Sequence, residues 1–169
     1  MFEFIRTCYY KPNPLFQIKI ILYKLKIHNM KTNKILLGGI TAAVTFFLLG
    51  WLIYGILLMD FMQSNSDQSM MKAEEDMVWW AMILSNLASG FLIAFVLSWA
   101  DVKNCTNGAK YGAIIGLLMA FAVDLSFYSM SNMFYSFTPV IVDTLVSGVL
   151  WAIAGAAAAG VMRLGKTKE

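Results

Sequence analysis

Only one histidine, His28, and two cysteines, Cys8 and Cys105, are present. The histidine lies outside every apolar run, so a serine-histidine protease working inside a membrane is excluded. A single histidine leaves no HExxH zinc helix, neither CxxC nor GxSxG occurs, and no phosphate-cradling loop is expected. No catalytic group stands out, and no cofactor or metal is called for. Both cysteines fall in segments assigned below to the reducing cytoplasmic side, so no disulfide is expected. Basic residues flank apolar runs and form no module of their own, which argues against nucleic acid as a partner despite the net charge of +3.

What is abundant is apolar surface. Of the 169 residues 59% are hydrophobic and the mean hydropathy is +0.66, far above the roughly 45 to 50% apolar share of a soluble domain. A bilayer core about 30 Å thick takes about 20 predominantly apolar residues as helix. Four runs meet that length, at 35–59, 78–100, 109–131 and 139–163. The expected fold is therefore all-α, an integral membrane bundle of four transmembrane helices, with the lipid bilayer as its first partner. Residues 30–169 form this domain and 1–29 a basic N-terminal segment. That segment reads either as an interfacial basic helix or as a consequence of start-site choice, since MKTNKILLGG from Met30 has the form of an inserted amino terminus.

Orientation follows from Lys and Arg, which accumulate on the cytoplasmic side. The first tail holds seven, the loop 101–107 with its following turn holds Lys103 and Lys110, and the C-terminus holds Arg163, Lys166 and Lys168. The other side has Lys72 alone, in the acidic loop from Asp60 to Met77. Both termini are expected in the cytoplasm and the acidic loop outside. Met59, Met62, Met70, Met71 and Met77 lie beside those acids, but their spacing follows no ligand pattern, so a solvated loop or a short amphipathic turn at the surface is expected.

The third run carries the main conflict, a carboxylate at Asp124 within an apolar span. Steps of four give Gly108, Gly112, Gly116, Ala120, Asp124, Tyr128 and Asn132, a ridge small at one end and polar at the other that should face protein. Gly148, Ala152 and Gly155 give the last span a matching small surface, and Gly38, Ala42, Gly50 and Tyr54 lie along one side of the first. Ser85, Asn86, Ser89 and Gly90 form a small polar face on the second. Thr138-Pro139 reads as an N-cap followed by proline at the first helical position.

An intramembrane acid costs about 2.5 to 3.5 kcal/mol at a helix centre and marks a site by default. The expected cluster is Asp124, Asn86, Asp143, Tyr128 and Ser147. Asn86 matches Asp124 in depth and is expected to bond to it, while Asp143, in the first turns of its helix, snorkels towards water. One reading is packing glue that fixes helix register, and the other is a carboxylate that binds a proton or cation. Two aspartates on neighbouring helices would also suit an aspartyl intramembrane protease. The flanks AFAVD and VIVD lack the Tyr-Asp and Gly-x-Gly-Asp contexts such proteases use.

The stretch FFLLGWLIYGILLMDFM, the polar loop and hairpin after it, and the VDTLVSGVL opening of a small-residue last helix resemble small bacterial four-helix membrane proteins grouped as a domain of unknown function. The resemblance implies a bacterial inner-membrane location and no assigned activity. Small multidrug transporters share the helix count, but their essential carboxylate lies within the first helix, where this chain has none. The expected function is that of a non-enzymatic structural or partner-interacting component, with homo-oligomerisation or a membrane-protein partner open. The alternative is a small proton- or cation-linked permease using Asp124.

Overall fold

Long apolar runs without internal proline become helices because their backbone polar groups can then be satisfied within the segment, which hydrocarbon demands. The computed structural model describes residues 14–70 and 72–164. Its helices are α1 (Pro14–Leu52), α2 (Met59–Asn65), α3 (Trp79–Trp99), α4 (Cys105–Met130) and α5 (Thr138–Leu164). Among the described residues four segments are long and apolar enough to cross a membrane: Thr32–Leu57, Trp79–Trp99, Cys105–Met130 and Thr138–Leu164. The chain divides between Asn33 and Lys34 into two units. In the first, the backbone is helical from Pro14 onward; the segment before it, with Cys8, lies outside the described residues. The remainder concerns the second.

Backbone-to-backbone packing organises that unit. Gly108 lies against the carbonyl of Gly155, Gly112 against that of Trp151 and Gly116 against that of Ser147. Each step of four up α4 matches a step of four back along α5, so the two helices run antiparallel in a fixed register. Gly148 receives the side chain of Leu117, and Ala152 lies beside Gly112. Gly90 of α3 meets the backbone of Gly39 and Ala43, and Gly38 meets Met162 of α5. Close approach of this kind is how small residues drive helix association in lipid.

A small core fills the space between these seams: Ala42 and Phe46, Ile93 and Leu97, Ala154 and Ala158. Phe46 and Trp151 meet edge to face with ring centroids 4.7 Å apart, an arrangement worth about 0.5 to 1.5 kcal/mol beyond its area. Leu118, Leu145 and Val149 are exposed on the outer surface, as a lipid-facing shell requires.

Loops alternate between the two ends of the bundle. At one end the segment after α1 holds short helical turns in place of an unstructured loop: α2 and two 3-10 turns, Gln68–Met70 and Glu74–Asp76. It also pairs with the loop between α4 and α5, through an antiparallel bridge of Ser66 with Phe134. The Asp67 amide donates to Met133 O at 2.8 Å and the Tyr135 amide to Asn65 O at 3.1 Å. At the other end α3 closes with Asp101 in the left-handed region at φ 48°. The Val102 amide reaches back to Leu97 O at 3.0 Å and the Asp101 amide to Ser98 O at 3.3 Å. This is a Schellman closure, and half-buried Val102 packs on the core beside it.

Two sequence expectations are corrected. Gly50 has open space around it, so no helix approaches there. The first helical residue of α5 is Thr138, so the capping position falls one residue earlier, where Phe137 O accepts from Ile141 N at 3.3 Å.

Candidate functional site

The register of α4 against α5 places the carboxylates. Extending the pairs of Gly112 with Trp151 and Gly116 with Ser147 by one step sets Ala120 opposite Asp143, with Asp124 one turn further on, about 6 Å. Side chains on a helix lean towards its own N-terminus. On antiparallel helices Asp124 and Asp143 therefore lean towards each other. Asp124 is buried, at 7% exposure, and Asp143 is half-buried. The two carboxyls are therefore neighbours across the seam, close enough for each to feel the other's charge.

Tyr54 completes the cluster from the first span. Its hydroxyl and Ser147 Oγ are 3.1 Å apart, and it also meets Asp143. Asp143 and Ser147 are four apart on α5 and so share a face. Tyr54 sits in a π-helical turn, Ile53–Leu57, that follows α1. Such turns insert a residue and re-aim the side chains beyond it, often at functional sites. Here the turn accompanies a tyrosine directed at the α4–α5 seam.

Two atoms of this region are buried without a hydrogen-bond partner. They are Asp124 Oδ2 and Thr144 Oγ1; Ser66 Oγ, in the loop bridge, is a third. An orphaned carboxylate oxygen in a low-dielectric interior is expensive. The group that Oδ2 would most readily turn to is Asp143, itself an acid.

Of the expected cluster, the structure brings together Asp124, Asp143 and Ser147. Asn86 donates instead to Met82 O of its own helix at 2.8 Å. Its side chain borders an apolar groove of about 260 Å³ between α1 and α3, lined by Ile40, Ala43, Phe47 and Ile83 among others. Tyr128 is exposed and stacks edge to face on Phe137, with centroids 5.6 Å apart. Asp143 is drawn into the seam, where a snorkelling side chain was expected. Tyr54, which the sequence places only on a packing ridge, joins the cluster at a depth near the end of its span that matches that of Asp143.

Gly160 to Thr167, GVMRLGKT, does satisfy the GxxxxGK[ST] spacing. A phosphate-cradling loop requires a strand before it and a helix opening after it. Gly160–Leu164 is instead the last turn of α5, where a helix presents carbonyls rather than amides, and Gly165 onward lies outside the described residues.

Cys105, at the start of α4, is a free and exposed thiol. Among the described residues no three of His, Cys, Asp and Glu converge as metal ligands would. Comparison of the chain with protein-family models, with curated proteins and with solved structures returned no match. The fold class is that of a multi-pass helical membrane protein.

Proposed function

We propose that this is a non-enzymatic component of a bacterial inner membrane, in which the Asp124 cluster fixes how α4, α5 and the end of the first span pack. The observation that carries the reading is the 7% exposure of Asp124: the carboxyl is closed in between helices and lies away from the groove between α1 and α3. Glue of this kind needs hydrogen bonding but no charge. Asp124→Asn is then expected to insert, fold and accumulate in membranes as the wild type does. Loss of the folded protein in that variant would overturn the reading.

The side assignment in this proposal is N-in and C-in, supported by seven Lys and Arg against one when residues 30–169 alone are counted. Alternating loops are compatible with it. Membrane-impermeant thiol reagents are expected to reach exposed Cys105 from the cytoplasmic face only.

A second reading, a small proton- or cation-linked permease, draws on the orphaned Asp124 Oδ2 and on the π-turn that supplies Tyr54. It expects Asp124→Asn to fold normally and to abolish pH-dependent flux in proteoliposomes. The packing reading expects no flux to lose.

A further inference from the structure

We infer that Asp124 and Asp143 together form a binding site for one proton, held between their carboxyls inside the bundle and bordered by Tyr54 and Ser147. The inference rests on Asp124 being turned into the α4–α5 seam, as the packing reading requires, and adds the chemical species that makes the seam work. Three observations carry it. Asp124 is more than nine-tenths buried. Its Oδ2 has no donor. The α4–α5 register and the lean of both side chains aim it at a second carboxyl.

Among the described residues of the four spans no Lys or Arg lies near the pair. On α4 the nearest is Lys110, 14 residues and about 21 Å away along the axis. On α5 it is Arg163, 20 residues from Asp143 and about 30 Å away. In the first span Lys34 is equally far from Tyr54, and α3 contains neither Lys nor Arg. The groups that face the pair are Tyr54 from the first span and Ser147 from α5, both uncharged donors or acceptors. Lys103 pairs with Asp101 at 2.9 Å at the opposite end. Two neighbouring carboxylates closed in between helices cannot both ionise, and one proton turns two acceptors into a donor and an acceptor.

Between the two acids, Asp124 is assigned the proton. Asp143 is the more exposed of the two, so its charge is the less costly one to keep. The proton bond then runs from the Asp124 carboxyl to the Asp143 carboxylate and satisfies Oδ2.

Infrared difference spectroscopy of the full chain in lipid nanodiscs tests this. A protonated carboxyl band is expected at neutral pH, moving on H/D exchange and disappearing as the pH is raised. Asp124→Asn is expected to remove the band, and Asp143→Asn, which takes away the partner charge, to shift its frequency and to make it disappear at a lower pH than in the wild type. Absence of the band in the wild type overturns the inference, as does a band whose frequency Asp143→Asn leaves unchanged. If Asp124→Asn fails to fold, the packing reading has failed. The wild-type and Asp143→Asn spectra then still decide the proton site independently.

Discussion

Gly108 and Gly155 occupy each other's missing side-chain space: a Cβ on Gly108 would lie 2.5 Å from Gly155 O, and a Cβ on Gly155 would strike Gly108 O. The obstacle on both sides is backbone, which cannot swing aside as a side chain can.

Alanine at the seam should therefore be costly where alanine elsewhere in the same fold is harmless. Gly112→Ala would drive a methyl into the Trp151 carbonyl, and overpacking of this kind costs about 1 to 3 kcal/mol. Gly50→Ala meets open space and should be neutral or stabilise by about 0.5 to 1 kcal/mol, through helix propensity alone. Unfolding of the two variants in mixed micelles gives the comparison. Equal stabilities would contradict the α4–α5 seam.

The four spans were legible because hydropathy and bilayer thickness both act on length. The expected runs 35–59, 78–100 and 139–163 differ from the observed spans by at most three residues at an end. The start of α4 was set four residues late, since Cys105 to Gly108 add little hydropathy. What begins that helix is a cap: Asn104 Oδ1 accepts from the Asn107 amide at 2.7 Å. The ridge of Gly108, Gly112 and Gly116 was legible because spacing by four fixes a face. Asn86 was misplaced because matching depth says nothing about which way round the helix a side chain points, and its amide found Met82 O. Tyr54 was missed as a site residue because a π-turn changes that direction without leaving a mark in the apolar pattern.

The turn between α3 and α4 offers two opposed substitutions. Asp101 holds a left-handed conformation at φ 48° that glycine adopts without strain. Its exposed ion pair with Lys103 contributes little. Asp101→Gly should thus stabilise by about 0.5 kcal/mol, the relief of strain exceeding the added freedom of the unfolded chain. Asn104→Ala removes the α4 cap and should destabilise by about 1 kcal/mol. Thermal unfolding in one detergent, with both variants measured beside the wild type, is the check; the same sign for both would refute this account of the turn.

The loop after α2 lies outside in the proposed orientation, where its acids meet changing pH. Asp67 is half-buried, and its carboxyl is held below the ordinary carboxylate value by the Ser69 hydroxyl and then by the Ser69 amide, which donates to Oδ1 at 2.9 Å. A carboxylate whose folded value is depressed supports local structure above its unfolded value and loses that support as pH falls through the folded one. The 3-10 turn Gln68–Met70 should accordingly keep its form throughout the neutral range and loosen only under strong acid. Nuclear magnetic resonance of the Ser69 amide would follow it, with a midpoint below that of a free aspartate. Removing the larger cause by Ser69→Ala should move that midpoint upward but leave it short of the free value, because the backbone amide remains. A midpoint unaffected by the substitution would show that the hydroxyl does not hold the Asp67 carboxylate.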